Sequence, residues 1–208
     1  MISSLHKAIP ILASVLLLSH GVIYSQNLDI EILRDINLHR NHNLDNSFLA
    51  LTKSAVFVSS GVPIVLFGAG LLKRDSSAIR NGLLIGATIL TAASISTLLK
   101  YSVDRPRPFV TYPDIQKCAE GGSPSFPSGH TSNAFAMATA VSLAYPEWYI
   151  IAPAYLWAGT VGYSRMDLGL HYPSDVLFGA ILGAGSAYLC HVINLKLQHN
   201  KSNKGFSK

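Results

Sequence analysis

Charged residues are scarce in this sequence, and this scarcity argues against an ordinary soluble protein. Only 13% of the 208 residues are charged, whereas 49% are hydrophobic; globular domains usually carry about 25% charged residues. Cysteine is also rare, with two residues. Because Cys118 falls in a predicted loop and Cys190 in an apolar segment, we expect no disulfide between them.

Two further classes of function lack their usual signals. No cysteine pair, His-Glu-x-x-His sequence or carboxylate cluster indicates a zinc, calcium or magnesium site, and His42 has no partner at metal-ligand spacing. Proteins that bind nucleic acid typically carry a stripe of basic residues with aromatic residues between them. The net charge is +5, but the sequence contains no such stripe. We therefore expect no metal, no cofactor and no nucleic-acid partner.

The sequence is rich in apolar stretches without charge. They cover residues 55–72, 81–99, 131–146, 148–164 and 176–195, and each is near the length that crosses a bilayer. Gly82, Gly86, Gly179 and Gly183 lie within them at a spacing typical of closely packed membrane helices. These stretches predict an all-α fold, a transmembrane helical bundle with about five spans. Buried helices of a soluble enzyme are the alternative.

The first 25 residues are predicted to be a signal peptide, since Lys7 precedes an apolar run and small residues continue to Ser25. An uncleaved first transmembrane helix is the alternative and would make six spans. Residues 26–195 are predicted to form one membrane domain, and residues 196–208 a basic cytoplasmic tail. Residues 28–51 mix charges with apolar residues at helical spacing, so they either lie along the outer interface or form a cap helix on the bundle.

Three separated blocks carry side chains suited to phosphoryl transfer. Lys100, Arg107 and Arg165 supply positive charge for phosphate oxygens. Each arginine does so with a planar guanidinium group that can donate to two oxygen atoms at once. Between them, Pro127-Ser128-Gly129-His130 precedes an apolar run predicted to be a helix, whose first N–H groups would face the phosphate. His130 is placed to give a proton to the leaving oxygen, and we assign it as the general acid.

The third block ends with His171 and Asp175, which are four residues apart. If a helix opens around Pro173, the two side chains lie on one face of it. The carboxylate then holds the imidazole tautomer, and a neutral imidazole attacks phosphorus directly. We predict His171 as the nucleophile and Asp175 as the residue that orients it. We interpret Arg105 as a simple loop charge, with a secondary phosphate or headgroup contact as the alternative.

In order and spacing, these blocks closely resemble the signature of the type 2 phosphatidic acid phosphatase and haloperoxidase superfamily. The matching sequences are Lys100-x6-Arg107-Pro108, Pro127-Ser128-Gly129-His130 and Ser164-Arg165-x5-His171-x3-Asp175. The resemblance covers roughly residues 96–178. It implies a phosphohistidine intermediate on His171, proton donation by His130, and phosphate binding by Lys100, Arg107, Ser128, Gly129 and Arg165.

Counting membrane crossings brings the three blocks to one side. The short basic loop at Lys73, Arg74 and Arg80 indicates the cytoplasmic side, so the blocks are predicted at the outer face of a bacterial-type cytoplasmic membrane. The expected function is hydrolysis of the terminal phosphate of a lipid phosphate or diphosphate. Alternatives are a soluble periplasmic acid phosphatase, a vanadate-type haloperoxidase and a non-catalytic lipid-binding membrane protein. Neither the particular lipid nor the oligomeric state follows from the sequence.

Overall fold

All regular secondary structure that the computed structural model describes, over residues 27–122 and 124–205, is helical. The predicted signal peptide, residues 1–25, lies outside this range. The described part of the first helix, α1, covers residues 27–38, and a 3-10 turn follows at His42–Leu44. The remaining helices are α2 (Asp45–Lys73), α3 (Ser76–Val103), α4 (Pro108–Thr111), α5 (Gly129–Ala144), α6 (Trp148–Asp167) and α7 (Pro173–Gly205).

Helices α2, α3, α5, α6 and α7 form a bundle with α5 at its centre, packed against the other four. The interior is built from small side chains, and Ala134, Ala138 and Ala158 are fully buried. The outer surface is apolar instead, since the side chains of Phe57 and Leu156 are 76% and 74% exposed. Small residues inside and large apolar residues outside are typical of helices packed in a bilayer. The predicted transmembrane helical bundle is therefore confirmed.

Glycines allow α5 and α7 to approach very closely, as their spacing predicted. A Cβ atom at Gly179 would lie 2.8 Å from the carbonyl oxygen of Ser128, and one at Gly183 would collide with the carbonyl oxygen of Ser132. The backbone N–H of Ser128 donates to the carbonyl oxygen of Asp175 at 3.0 Å. The start of α7, where the third sequence block ends, is thereby held against the start of α5, where the second block lies.

The helix lengths refine the predicted spans. By length and composition, His42–Lys73, Ser76–Thr111 and Pro173–His199 are able to cross a membrane. Helix α5 has 16 residues and is about 24 Å long, shorter than a hydrocarbon core of about 30 Å. Helix α2 begins at Asp45, ten residues before the predicted start at 55. The prediction used the charge-free stretch, which cannot include Lys53, whereas the helix continues through this lysine. The number of five spans stays a prediction.

Helix α1 packs as a cap on one end of the bundle, which is the second of the two alternatives for this segment. Ile30 and Leu33 are 4% and 0% exposed. The buried amide of Asn37 donates to the carbonyl oxygens of Gln116 and Asp167 at 3.1 and 2.7 Å, and its oxygen accepts from the N–H of Gln116. The cap is therefore tied to the loop before α5 and to the end of α6.

Candidate active site

Every residue predicted for the site lies at the capped end of the bundle. Successive long helices run in opposite directions, so α3 and α6 end there and α5 and α7 begin there. The predicted residues occupy the last turn of α3 (Lys100), the start of α4 (Arg107), the start of α5 (Ser128, Gly129, His130), the last turn of α6 (Arg165) and the start of α7 (His171, Asp175). The three sequence blocks therefore meet in one place, while the roles of their residues stay predictions.

His171 is buried in the turn between α6 and α7, with 1% of its surface exposed. Its Nε2 atom lies 3.4 Å from Nη1 of Arg107, and its Nδ1 atom lies 3.5 Å from Oδ2 of Asp175. Burial lowers the pKa of His171 to about 3, against the opposing effect of the Asp175 carboxylate. The imidazole is thus neutral, and a proton on Nδ1 facing the carboxylate leaves the Nε2 lone pair on the side of Arg107.

Asp175 is fully buried, and each of its carboxylate oxygens is held by hydrogen bonds. Oδ2 accepts from the Ser125 hydroxyl at 2.5 Å and from the N–H of Tyr172 at 3.0 Å, while Oδ1 accepts from Arg105 at 2.8 Å. Because Asp175 is the third residue of α7, its bond to the N–H of Tyr172 is one half of a capping box. The carboxylate therefore has one fixed orientation beside His171.

The expected helical face for His171 and Asp175 is wrong in one respect. Helix α7 does begin at Pro173, a position that suits proline because its missing N–H is not needed there. His171 lies two residues before the helix, in a turn. The backbone N–H of His171 donates to the carbonyl oxygen of Arg165 at 3.2 Å. The two side chains meet because the turn folds back over the first turn of α7, and not because they share a helical face.

The cations predicted to bind phosphate are largely buried. Arg165 is 3% exposed and donates from Nη1 to the Thr52 hydroxyl at 2.6 Å, while its buried Nε has no hydrogen-bond partner among the described residues. Lys100 donates from Nζ to the carbonyl oxygen of Pro124 at 2.7 Å. In the part of the chain that the structure describes, neither Lys100 nor Arg165 forms a salt bridge. Buried positive charge without a carboxylate partner favours binding of an anion.

Arg107 and the start of α5 complete this group. Nη1 of Arg107 donates to the carbonyl oxygen of Leu170 at 2.9 Å, and a Cβ atom at Gly121 would lie 2.9 Å from the same nitrogen. Ser128 is the N-cap of α5 and makes no side-chain cap bond, so the first N–H groups of the helix keep the capacity to bind an anion. His130 lies in the first turn, in the field of Lys100, Arg107 and Arg165.

Several residues at the site were not predicted from the sequence. Ser125 and Thr52 contact Asp175 and Arg165, and neither belongs to a recognisable pattern. The interpretation of Arg105 as a loop charge is wrong, since this side chain is hydrogen-bonded to Asp175 and Asp29. The sequence did contain one indication of this contact. The Arg-Pro-Arg-Pro sequence keeps the chain extended, so Arg105 reaches Asp175 while Arg107 reaches His171.

These features define a class of protein, a membrane helical bundle with a group of buried basic side chains at one end. The chain belongs to the PAP2 superfamily, whose family model matches residues 81–198. The resemblance read from the three sequence blocks is thereby confirmed. The match begins after α1 and α2, so Asp29 and Thr52 lie outside it. Among residues 27–122 and 124–205, no three His, Cys, Asp or Glu side chains form a metal-binding group.

Known proteins similar to this chain include lipid phosphatases and a solved membrane structure. The lipid A 4'-phosphatase of Bacteroides thetaiotaomicron is 39% identical over 37% of this chain and 34% of its own length, so the chain spans about a third of that relative. The undecaprenyl-diphosphatase BcrC of Bacillus subtilis is 28% identical over 72% of this chain and 76% of its own. The transmembrane PAP2 type phosphatidylglycerolphosphate phosphatase from Bacillus subtilis matches with a TM-score of 0.71 and 26% identity, covering 83% of this chain and 87% of that one.

Proposed function

We propose that this chain is an integral-membrane phosphatase that hydrolyses the terminal phosphate of a lipid phosphate or diphosphate without a metal ion. The observation that carries the proposal is the buried His171, whose Nε2 atom faces the Arg107 guanidinium while Nδ1 faces Asp175. Similar proteins named as phosphatases of lipid A and undecaprenyl diphosphate support the substrate class. The proposed reaction uses two steps at one histidine.

In the first step, the phosphate lies among Lys100, Arg107, Arg165 and the first N–H groups of α5. Nε2 of His171 attacks phosphorus, a P–N bond forms and the bond to the leaving oxygen breaks. His130 transfers its proton to that oxygen, and the phosphate anion among the cations favours the protonated form of His130 that this transfer needs. The negative charge of Asp175 stabilises the positively charged ring of the phosphohistidine.

In the second step, water hydrolyses the phosphohistidine. The neutral His130 accepts a proton from the water molecule, whose oxygen attacks phosphorus as the P–N bond breaks. Inorganic phosphate leaves, and both histidines return to their starting states. The three basic side chains stabilise charge on the phosphate oxygens in both steps, the work that a bound metal performs in other phosphatases.

We further propose that the site faces the outer side of a bacterial-type cytoplasmic membrane. Lys73, Arg74 and Arg80 lie at the opposite end of the bundle, between α2 and α3 and in the first turns of α3. Short loops rich in lysine and arginine are typical of the cytoplasmic side. The phosphate of a lipid in the outer leaflet would then lie level with the site.

The test is phosphate release from lipid phosphates by the purified full-length chain in detergent, with and without EDTA. We expect EDTA to leave the rate unchanged and His171→Ala to abolish release, because no other group replaces the nucleophile. His39→Ala is the matched control, since the side chain of His39 is exposed and contacts Asp35. An acid-labile and base-stable phosphoprotein should be trapped during turnover. Loss of activity in EDTA that added metal restores, or full activity of His171→Ala, would contradict the proposal.

A further inference from the structure

Arg105 bridges two buried carboxylates at the edge of the candidate site. Nη1 donates to Oδ1 of Asp175 at 2.8 Å and to the Ser174 hydroxyl at 2.7 Å. Nη2 donates to Oδ2 of Asp29 at 2.7 Å, and the guanidinium carbon lies 3.8 Å from the ring centroid of Tyr172. The guanidinium plane is therefore fixed on three sides and has little freedom to turn towards a ligand.

Asp29 holds two partners, the Arg105 side chain and the first turn of α7. It lies on α1, is 7% exposed, and accepts from the Ser174 N–H at 2.8 Å and from the Ser174 hydroxyl at 2.5 Å. The N–H of Ser174 is one of the first in α7 and has no partner within the helix. Asp29 thus replaces that missing partner one residue before Asp175.

Small movements of this first turn affect the predicted catalytic pair directly. Asp175 faces His171 only while its carboxylate keeps its orientation, and the charged Arg105 side chain donates to its Oδ1 atom. Asp29 lies on the opposite side of the guanidinium, so it anchors Arg105 without contacting His171. A displacement of about 1 Å in such an arrangement costs roughly 100-fold in rate.

We propose that Asp29 and Arg105 are positioning residues for the reaction. Asp29 anchors the guanidinium and the first turn of α7, and Arg105 in turn holds the Asp175 carboxylate facing His171. This inference rests on the proposed function, in which Asp175 orients the nucleophile. It also assigns a role to α1, which lies before the residues that the family model matches: the cap helix completes the site.

The test compares kcat and KM of Asp29→Asn, Arg105→Gln and Arg105→Lys with the unaltered chain, using one lipid phosphate in detergent. Asparagine keeps an oxygen for the Ser174 N–H but loses the charge that anchors Arg105. We expect kcat to fall roughly 10- to 100-fold in Asp29→Asn and Arg105→Gln, with little change in KM because neither residue contacts the phosphate. Arg105→Lys should recover part of the loss, since lysine keeps the charge but not the fork.

Arg34→Gln is the matched control for simple docking of α1. Arg34 ties α1 to Asp114 through bonds of 2.7 and 3.3 Å, and both side chains are exposed and do not contact Asp175. We expect Arg34→Gln to keep kcat near that of the unaltered chain. The double variant Asp29→Asn/Arg105→Gln should be no slower than Arg105→Gln alone, because both changes break one chain of contacts.

Three outcomes would overturn this inference: an unchanged kcat in Asp29→Asn, an equal loss in Arg34→Gln, or losses that multiply in the double variant. Thermal unfolding of each variant separates misfolding from a catalytic loss. If the unaltered chain releases no phosphate from any lipid, the proposed function itself fails. An active chain that is indifferent to Asp29 contradicts only the positioning role.

A second, independent observation concerns a small cavity next to Lys100 and His130. The cavity lies between α2, α3 and α5 and has a volume of about 140 Å³. Ser96 and Asn133 line it, and Ser96 is 2% exposed. The Oγ atom of Ser96 and the Oδ1 atom of Asn133 have no hydrogen-bond partner among the described residues. Leaving a buried polar group unpaired costs about 1–3 kcal/mol, so these two atoms indicate a hydrogen-bonding ligand.

The position of the cavity indicates which part of a substrate it would receive. Ser96 is one helical turn from Lys100 on α3, and Asn133 is one turn from Gly129 on α5, so the cavity starts where His130 meets the leaving oxygen. Among the described residues of the cavity wall, Lys100 and His130 are the ionisable ones, and Lys100 belongs to the cations proposed to bind the phosphate. Because Oδ1 of Asn133 can only accept a hydrogen bond, a neutral group that carries a hydroxyl matches this wall better than a second phosphate or a bare hydrocarbon chain.

We infer that the cavity binds a neutral leaving group with a free hydroxyl, such as the glycerol of a monoacyl glycerolipid or the sugar of a glycolipid, and not a prenyl chain. This inference deepens the proposed function by naming its substrate class. The test measures kcat/KM on short-chain lysophosphatidate, which keeps one glycerol hydroxyl, on an acylated glucosamine 1-phosphate and on farnesyl phosphate. The first two substrates distinguish glycerol from sugar as the source of the hydroxyl.

We expect the unaltered chain to prefer one of the two hydroxyl-bearing substrates over farnesyl phosphate. Ser96→Ala and Asn133→Leu should each lower kcat/KM on that substrate about 10-fold, the value of one hydrogen bond, with little effect on farnesyl phosphate. Thr91→Val is the control on α3, since Thr91 bonds to its own helix at the carbonyl oxygen of Ala87. Preference for farnesyl phosphate, or equal losses on all substrates, would overturn the inference; no release from any of them contradicts the proposed function instead.

Discussion

At the scale of single residues, Gly121 is a loop position without a motif that lies against Arg107, a predicted phosphate-binding side chain. A Cβ atom at Gly121 would lie 2.9 Å from Nη1 and 3.0 Å from Cζ of Arg107, whereas one at Gly122 meets nothing within 4 Å. We therefore expect Gly121→Ala to push the guanidinium away from His171 and to lower kcat/KM roughly 10-fold or more. Gly122→Ala is the matched control, and equal activity of the two variants would contradict the prediction.

A second prediction for a single residue concerns the pH at which the His171 ring titrates. Its pKa is lowered to about 3 by burial, and the neutral ring is the form that the proposed mechanism requires. Activity that depends on this ring is then lost only as the pH falls through about 3, and not near 6.5. Titration of ¹⁵N-labelled histidine by NMR, with His171→Gln to assign the signal, measures this directly. A ring that titrates near pH 6.5 would contradict the burial seen here.

The sequence alone predicted that the three blocks lie on one side, but it did not predict the residues that contact them. Lys100, His130 and His171 stand at recognisable spacings, because the chemistry of phosphate transfer limits which residue types work there. Asp29 and Ser125 are different, since their contacts with Ser174 and Asp175 join positions 145 and 50 residues apart. Such contacts depend on how α1 and the loop before α5 pack, and no local pattern records that packing.

At the scale of secondary-structure elements, the contact between α5 and α7 sets the geometry of the site. A methyl group at Gly183 would collide with the backbone of Ser132 and Ala136, whereas one at Gly185 of the same helix meets nothing within 4 Å. We expect Gly183→Ala to destabilise the bundle by about 1–3 kcal/mol, the usual cost of overpacking. Gly185→Ala should be neutral or slightly stabilising because alanine favours helix. Thermal unfolding in detergent distinguishes the two, and equal stability would contradict the prediction.

Hydropathy predicted the order of the long helices correctly and their ends less well. Helix α2 begins at Asp45 and α3 ends at Val103, because both continue past the apolar stretch into the site, where Thr52 and Lys100 contribute side chains. Charge-free runs mark only the part of a helix that lies in hydrocarbon. The choice between an interfacial helix and a cap for α1 required the structure, since the same apolar spacing suits both surfaces.

At the scale of the whole molecule, the position of the site relative to the membrane gives the last prediction. Glu120 is exposed near the site end and Lys73 is exposed at the other end. We expect a membrane-impermeant maleimide to label Glu120→Cys in intact spheroplasts, and Lys73→Cys only after the membrane is opened. The background carries Cys118→Ser and Cys190→Ala, because both native cysteines are free. Labelling of both variants in detergent is the control for reactivity. Labelling of Lys73→Cys alone in intact spheroplasts would reverse the orientation and place the lipid phosphate in the inner leaflet.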